Sequence, residues 1–469
     1  MDGYFNPDSE EIVLYRIDPR YKGNAILTRD IDLSKRPIFK PLVSHELNAD
    51  FQLITSTKDG YLMITNHEAV NRKLIWIPKT AKSPKEWETI VAESKTAGYL
   101  DSIQIVSPFL LMNYVNNGVS VINIHKAADG AFVETMPSPG PGTIHSIGSG
   151  GKPGILVFTY ESLVDQGSLY GYRVGTQKLV KLQPENPASP LKDFVYEHTT
   201  YKSEDGTEVP IQLLYHKDTK RDGSNPVYLH AYGGFGVNMK PEFNSKLFIW
   251  AQLGGIVAIP NIRGGAEMGG QWHLDGSLTK KQNSFNDFKA ATKWLVAQGW
   301  TEHSRIGVEG GSNGGLLIAA MELQASDLIG AAIANVGVYD MMRFHKFTRG
   351  FHWINEYGSL RSKEEFQAML KYSPVHNVTP AEYAPILIST GNKDDRVAPI
   401  HSFKLAAALQ EAQKGTNPIL LRVNANSAHG AGTRLEYVKQ TAEEFAFFME
   451  FLGMLTKEEK ASSGQTPPP

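Results

Sequence analysis

The sequence predicts an α/β domain, a mostly parallel sheet with helices on both faces, preceded by a partial β-propeller. Two patterns predict this fold class. Up to about residue 185 short strand-like runs follow one another between turn residues, and over residues 190–456 strand-like runs alternate with helical ones. Length agrees, because 469 residues exceed the usual size of one hydrophobic core and predict two domains.

The amino-terminal part, residues 1–185, reads as consecutive β-hairpins. Its strand-like runs are joined by Asp-Gly and Asn-Gly turns, which favour tight hairpins. The runs recur in sets of about 45 residues, the period at which four-stranded propeller blades follow one another. We therefore expect three or four blades. The runs are "FQLITSTKDGYLMITNH" (51–67), "KLIWIPK" (73–79), "SPFLLMNYVNNGVSVINIHK" (107–126), "GILVFTYES" (154–162) and "GSLYGYRVGTQKLVKL" (167–182).

The carboxyl-terminal part, residues 190–456, alternates strands with helices, which predicts a mostly parallel sheet covered by helices. In one helical segment Ser284 with Asp287 predicts a capping box, and Gly299 predicts the end of the helix. Residues 457–469 are expected to form a disordered tail. The strand-like runs are "PVYLHAYGG" (226–234), "GGIVAIPNI" (254–262), "SRIGVEGG" (304–311), "GAAIANVGV" (330–338), "APILISTG" (384–391) and "PILLRVNANS" (418–427).

Composition excludes several classes of function. With 47 Lys and Arg against 49 Asp and Glu, the chain has no charge excess that would indicate a nucleic-acid partner. It contains no cysteine, which excludes disulfides, thiolate metal sites and a thiol nucleophile, and fits a reducing compartment. No run of about 18 apolar residues would span a membrane, and the amino terminus lacks the pattern of a secretory signal. We expect a soluble cytoplasmic protein that needs no metal or organic cofactor.

One short stretch indicates chemistry. In "VEGGSNGG" (308–315) a strand-like run leads through Ser312 into a helical run, the context that gives the pattern G-x-S-x-G its meaning. A serine at such an elbow needs small neighbours, because strand and helix approach each other closely. The alternative is a glycine-rich structural turn with an incidental serine. The strand–turn–helix context favours a nucleophile.

A nucleophilic serine requires a base and an acid that orients it, in the chain order Ser, Asp, His. Asp394 and Asp395 follow one strand-like run, and His429 follows the next in a loop of small residues. Alone, each would be read as an ordinary loop carboxylate or a surface histidine. Their order and their positions at the ends of strands favour the catalytic interpretation.

The stretch from about residue 190 to 455 resembles the peptidase domain of the prolyl oligopeptidase family, whose α/β-hydrolase domain is capped by a seven-bladed β-propeller. The combination of "GGSNGG" with "FHWINEYG" favours the proline-specific branch over basic-residue oligopeptidases and dipeptidyl peptidases. The resemblance is carried by "HAYGGFG" (230–236), "NIRGGAEMGGQWH" (261–273), "KKQNSFNDF" (280–288), "GGSNGG" (310–315), "NVGVYDMMRFHKFTRGFHWINEYG" (335–358), "DDRV" (394–397) and "HGAG" (429–432).

The resemblance implies a catalytic triad of Ser312, Asp394 and His429, with the first aspartate of the pair preferred over the second. It implies that the Tyr232 hydroxyl and the Asn313 backbone N–H stabilise the oxyanion. The implied activity is that of a serine endopeptidase that cleaves short peptides after proline through an acyl-enzyme, without a cofactor.

The resemblance also implies a proline pocket. The substrate ring would stack on Trp353, and Phe235, Val338 and Tyr357 would line the same pocket. Arg396 would bind a substrate carbonyl. Read without the resemblance, Trp353 and Phe235 would be taken for core aromatics.

Two alternatives remain open. The acyl-enzyme could be captured by an amine, which would make the protein a peptide ligase or macrocyclase.

About 185 residues precede the peptidase domain, room for three or four blades of about 45 residues, so roughly half of the family's propeller is missing. The chain could then be a catalytically silent interaction protein. The sequence does not separate an incomplete sequence from a naturally short form. Members of the family are usually monomeric, but exposed blade edges would favour self-association.

Overall fold

The structure is a computed structural model that describes residues 2–6, 11–18, 20–30, 38–184, 186, 188–430 and 432–455. The tail predicted over residues 457–469 lies outside the described residues. The chain divides into two compact units. The first contains the described residues up to Tyr160, with Gly167–Pro184 and Ala266–Gln271, and the second contains Glu161–Gln166, Glu185–Gly265 and the described residues from Trp272 onward.

The first unit is built from four four-stranded sheets in which spatial neighbours are consecutive in sequence. The hairpins pair antiparallel, as in the match of Phe109 with Lys126 and of Tyr170 with Lys181. The strands are β1 Asp2–Asn6, β2 Glu11–Arg16, β3 Ala25–Asp30, β4 Lys40–Val43, β5 Phe51–Ser56, β6 Gly60–Thr65, β7 Lys73–Pro78, β8 Glu88–Val91, β9 Tyr99–Val106, β10 Phe109–Asn116, β11 Val119–Lys126, β12 Phe132–Thr135, β13 Thr143–Ser149, β14 Ile155–Ser162, β15 Asp165–Arg173 and β16 Leu179–Lys181.

Consecutive sheets of the first unit share apolar cores. Strand β14 alternates buried with partly exposed residues, so that Leu156 and Phe158 point to one side. They pack with Leu111 and Ile122 of the preceding sheet. In the same way, Leu74 of the second sheet packs with buried residues of the third sheet. Face-to-face packing of four-stranded antiparallel sheets is the arrangement of propeller blades.

The second unit contains an eight-stranded sheet in the order β17-β18-β20-β19-β21-β22-β23-β24. From β20 onward the neighbouring strands in this order are parallel, whereas β17 pairs antiparallel with β18 and β18 with β20. Strand–helix alternation does not predict this first hairpin. The strands are β17 Phe194–Lys202, β18 Glu208–His216, β19 Val227–His230, β20 Ile256–Pro260, β21 Ile306–Gly311, β22 Ala331–Asn335, β23 Ile386–Gly391 and β24 Ile419–Asn424.

Helices cover both faces of this sheet. Along β19 the side chains of Val227 and Leu229 enter one apolar cluster and that of Tyr228 enters another, because successive strand residues point to opposite faces. The first cluster includes residues of α3, α4 and α8, and the second includes residues of α1 and α9. The predicted fold class is confirmed. The helices are α1 Ser245–Gln252, α2 Gly270–Leu274, α3 Gln282–Ala297, α4 Asn313–Ala325, α5 Ile354–Tyr357, α6 Lys363–Tyr372, α7 Pro374–Asn377, α8 Ile400–Ala412 and α9 Arg434–Phe451.

The capping box predicted from Ser284 and Asp287 is wrong, because helix α3 already begins at Gln282. Both side chains are buried inside the helix and are bound to Arg263. The Ser284 hydroxyl donates to the Arg263 carbonyl at 2.6 Å, and the Asp287 carboxylate accepts from the guanidinium at 2.6 Å. Tertiary contacts, not helix capping, use these two residues. Gly299, with φ of +73°, follows the end of the helix as predicted.

Candidate active site

Ser312 lies at a strained elbow between β21 and α4. Its φ of 58° and ψ of −115° are rare for any residue with a side chain. The glycines around it are required by close approach: a Cβ on Gly310 would come within 2.7 Å of the Gly314 carbonyl oxygen, and one on Gly315 within 2.7 Å of the Asn335 carbonyl oxygen. The same Asn335 oxygen accepts the Ser312 N–H at 2.8 Å. The turn therefore presents the serine on a fixed backbone.

The two neighbouring aspartates, Asp394 and Asp395, have different environments in the structure. Asp394 Oδ2 lies 2.7 Å from His429 Nδ1, while Oδ1 accepts the backbone N–H groups of Arg396 and Val397 at 3.0 and 2.9 Å. The side chain of Asp394 is fully buried, whereas that of Asp395 is 70% exposed. Of these two aspartates, Asp394 contacts the imidazole of His429 and Asp395 contacts Arg349 instead.

His429 and Ser312 make no hydrogen bond with each other in the described part of the chain. With Nδ1 donating to Asp394, the other ring nitrogen of His429 is the acceptor that a general base requires. Such contacts are commonly long in unliganded enzymes and shorten when substrate binds. Of the predicted triad, the structure thus joins the acid with the base and leaves the serine apart from them.

Both predicted oxyanion donors lie next to Ser312, since the Tyr232 side chain interacts with its hydroxyl and Asn313 follows it in the chain. Burial raises the pKa of the Tyr232 phenol, and its interaction with the Ser312 hydroxyl opposes that rise. Asn313 is the first residue of α4, so its backbone N–H has no acceptor within the helix. The Asn313 side chain donates to the Tyr232 carbonyl at 2.6 Å and accepts from the Tyr357 hydroxyl at 3.1 Å. This amide therefore ties the elbow to both tyrosines.

A cavity of about 270 Å³ opens beside the serine. The Phe235 and Tyr357 rings meet edge to face at 5.6 Å, and Trp353 is nearly perpendicular to Tyr357 at 6.5 Å. The cavity contains all five residues predicted for the pocket, together with Arg349 and His352, which the sequence reading did not single out. Its lining residues are Tyr232, Phe235, Ser312, Val338, Arg349, His352, Trp353, Tyr357 and Arg396.

A buried ion pair supports the wall of this cavity. Lys281 is fully buried, and its Nζ donates to the Gly233 carbonyl at 2.8 Å and to Glu356 Oε1 at 3.0 Å. Glu356 Oε2 lies 2.7 Å from His273 Nε2. Burial by itself would raise the pKa of Glu356, but the charge of Lys281 holds it below its usual range. The pair links the backbone beside Tyr232 to the residue before Tyr357, and sequence reasoning missed it.

A second polar network anchors the strand that leads to the serine. Asn335 Nδ2 donates to Glu309 Oε1 at 3.0 Å and to Glu444 Oε1 at 3.1 Å. Glu309 also contacts His230 at 2.6 Å, and Glu444 accepts from Lys246 at 2.6 Å. Because the Asn335 carbonyl accepts the Ser312 N–H, this network also restrains the elbow. Spacing in the sequence offers no signal for it, because its members come from five separate elements.

The three residues of the predicted triad lie where parallel strands end. Ser312 follows β21, Asp394 follows β23 and His429 comes after β24. A serine on a strained strand-to-helix turn, with its acid and base on later strand ends, defines the α/β-hydrolase class. The second unit is therefore an α/β-hydrolase domain.

In the described residues no group of three or more His, Asp or Glu side chains could hold a metal ion, and no helix is long and apolar enough to cross a bilayer.

Comparison with known proteins specifies the family. Residues 241–455 match the model of the prolyl oligopeptidase family, and residues 20–185 match that of the prolyl oligopeptidase N-terminal β-propeller domain. The chain belongs to the prolyl oligopeptidase family.

Similar proteins include a prolyl endopeptidase of Elizabethkingia meningoseptica, 33% identical over 96% of this chain and 64% of its own length. Among solved structures, one from a study of two prolyl endopeptidases has a TM-score of 0.86 and 31% identity, over 97% of this chain and 66% of that one. Prolyl oligopeptidase B of Galerina marginata, bound to a 35mer hydrolysis and macrocyclization substrate, has a TM-score of 0.84 and 30% identity over 96% and 65%. The chain thus spans less than two thirds of these relatives.

Proposed function

We propose that this protein is a serine endopeptidase that hydrolyses short peptides on the carboxyl side of proline. The observation that carries the proposal is the position of Ser312, at a strained elbow and on the wall of a cavity lined by aromatic rings. Membership of the prolyl oligopeptidase family supports it.

In the proposed reaction Ser312 Oγ attacks the carbonyl carbon of the scissile bond and passes its proton to His429. Asp394 holds the imidazole in the tautomer that accepts this proton and stabilises the imidazolium that forms. The imidazolium then protonates the leaving amine, which departs as the acyl-enzyme forms. A water molecule then attacks the acyl-enzyme while His429 takes its proton. His429 returns this proton to Ser312, and the carboxylic acid is released. His429 is bonded to Asp394 and not to Ser312, so the proposed proton transfer requires the serine hydroxyl and the imidazole to approach each other.

Oxyanion stabilisation is assigned to the Tyr232 hydroxyl and the Asn313 N–H. One such donor typically contributes about 3 kcal/mol to the transition state. Burial keeps the phenol protonated, so that it remains a donor through the neutral range. Asn313 positions both donors. Its side chain donates to the Tyr232 carbonyl, and its own backbone N–H is fixed because it is the first residue of α4.

The proline preference is assigned to the aromatic part of the cavity. A pyrrolidine ring has no donor and covers the flat face of Trp353 without leaving a buried polar group unpaired. Phe235, Val338 and Tyr357 supply the remaining apolar surface, and Arg396 supplies a donor for a substrate carbonyl. The cavity volume of about 270 Å³ lies just below the range of about 300–1,000 Å³ that is usual for small-molecule pockets.

A second candidate is peptide ligation or macrocyclization by the same triad. It is favoured by similarity to the Galerina enzyme, whose bound substrate is described as serving both hydrolysis and macrocyclization. The two reactions differ only in whether water or an amine attacks the acyl-enzyme. Mass spectrometry of the products from a long prolyl peptide separates them, because the macrocycle lacks the mass of one water.

The proposal extends to surroundings and partners. We propose a cytoplasmic location, because a chain with no cysteine suits a reducing compartment. The near-neutral charge supports peptide rather than nucleic-acid partners. We propose a monomer that self-associates through blade edges at high concentration, which light scattering on a dilution series measures.

The decisive experiment is labelling of the purified chain with a fluorophosphonate, together with hydrolysis of a prolyl amide. An activated Ser312 reacts with the label, and heat-unfolded protein does not. Absence of both labelling and hydrolysis from folded protein would show a catalytically silent chain.

A further inference from the structure

The cavity beside Ser312 carries more positive charge than a proline pocket requires. Arg349, His352 and Arg396 line it, and no carboxylate is among the described residues of its lining. A proline side chain is neutral and forms no hydrogen bond, so apolar rings alone account for its recognition. One cation, Arg396, is assigned to a substrate carbonyl in the proposed function. Arg349 and His352 have no assigned partner in the substrate.

The two arginines of the cavity are only weakly neutralised by the protein. Arg349 Nη2 lies 3.2 Å from Asp395 Oδ2, but the two side chains are 60% and 70% exposed, and such pairs contribute little in water. The Arg396 guanidinium makes no ion pair with any described residue. His352 is exposed and packs against the Phe351 ring at 3.9 Å.

Other carboxylates near this segment are already engaged. Asp394 is saturated by His429 and two backbone N–H groups, and Glu356 is held by Lys281 and His273. The segment 343–352, "RFHKFTRGFH", contains no acidic residue at all. An anion entering the cavity would therefore meet Arg349 without competition from a buried acid.

We infer that this site selects peptides that carry a carboxylate, an Asp or Glu side chain, within a few residues of the scissile proline. Arg349 is the residue that binds it, and the inference rests on the proposed function for the reaction itself. A guanidinium presents two parallel N–H donors that match a carboxylate. The incoming acid takes the place of Asp395, whose contact with Arg349 is exposed and readily exchanged.

The test compares matched peptides that differ only by Glu against Gln at one position on either side of proline. We expect one position at which Glu raises kcat/KM about fivefold over Gln at low salt, the range of an exposed charge pair. The ratio should fall as ionic strength increases. A ratio at or below one at every position would overturn the inference.

Three variants locate the effect. Arg349→Gln should bring the ratio close to one, and Asp395→Asn should raise it, because the competing carboxylate is removed. Lys346→Gln is the matched control: this lysine is exposed and belongs to the same basic segment but does not line the cavity. If Lys346→Gln lowers the ratio as much as Arg349→Gln, general attraction and not this residue explains the preference, and the assignment is wrong.

Binding separates this inference from the proposed function. Equilibrium binding of the same peptides to the Ser312→Ala chain, followed by fluorescence anisotropy, measures the Glu preference without turnover. Preferential binding of the Glu peptide without hydrolysis by the parent chain would contradict the peptidase and support the inference. Hydrolysis of both peptides with equal binding would do the reverse.

Discussion

The second unit contains two groups of a serine, a histidine and an aspartate, and they differ in almost every physical respect. One is Ser312 with His429 and Asp394. In the other, Ser373 Oγ lies 2.8 Å from His376 Nδ1, and His376 Nε2 lies 3.8 Å from Asp340 Oδ1. By residue type and contact alone the second group is the more complete, since its serine and histidine are hydrogen-bonded.

The second group is nevertheless unable to act as a nucleophile. Ser373 is fully buried, has an ordinary φ of −64°, and its Oγ accepts the Met341 N–H at 3.1 Å. The Arg343 guanidinium lies 3.5 Å from His376 Nε2 and can only donate, which favours the tautomer with hydrogen on Nδ1. His376 then donates to the serine and cannot take its proton.

The comparison teaches that exposure and backbone geometry, not the three residue types, distinguish the proposed catalytic group from the buried one. Ser312 is held at positive φ beside a cavity, while Ser373 precedes a short helix within the protein interior. Variants of the first group should therefore change hydrolysis, and variants of the second group should change stability.

The largest effect is expected for Ser312→Ala. Removing the proposed nucleophile should lower the rate of prolyl amide hydrolysis about a million-fold, because the proposed acyl-enzyme forms on its hydroxyl. Circular dichroism should show an unchanged fold. A variant that hydrolyses at near the parent rate would exclude Ser312 as the nucleophile and return attention to other serines.

The next effect concerns the neighbouring aspartates. Asp394→Asn should reduce kcat about 10⁴-fold, because an amide no longer selects the imidazole tautomer that accepts the proton. Asp395→Asn, in an exposed position, should change hydrolysis of a neutral prolyl amide less than threefold. Equal losses in the two variants would contradict the assignment of roles.

A pH effect on stability is expected from His401, which accepts the backbone N–H of Asp340 in the second group. His401 Nδ1 accepts the N–H groups of Tyr339 and Asp340, and burial lowers the pKa of His401 to about 4. In the unfolded chain this histidine binds a proton near pH 6.5, whereas in the folded chain it does so only near pH 4. The free energy of unfolding should therefore decrease as the pH falls from 6.5 to about 4, by up to about 3 kcal/mol.

The measurement is urea unfolding at several pH values for the parent and for His401→Asn, which keeps an acceptor for the two N–H groups. The variant should show a shallower fall below pH 6.5. Parallel curves would mean that His401 does not titrate as inferred.

The smallest effect is expected for Ser373→Ala. Loss of the hydroxyl leaves the buried Met341 N–H without its acceptor, which should cost about 1–3 kcal/mol of stability. Hydrolysis should continue at the parent rate where the variant is folded. A large loss of kcat with unchanged stability would show that the second group takes part in catalysis after all.

Much of the site could be predicted because its signals are local in sequence. The elbow around Ser312 reads from contiguous residues, since strand, glycines and helix are adjacent. The cavity residues Trp353 and Tyr357 came from a family resemblance, which carries tertiary information indirectly. The role of each predicted residue remains a prediction that the variants above would test.

What the sequence by itself determined is the order of elements, the nucleophile elbow and the chain order Ser, Asp, His, because these depend on short-range geometry and on the periodicity of strands and helices. The tertiary structure alone decided the rest. It placed Ser284 and Asp287 on Arg263 instead of at a helix end, joined Lys281 to Glu356, and kept His429 from bonding to Ser312. Side chains far apart in the sequence form such contacts only where packing brings them together, and their burial and partners then set their chemistry.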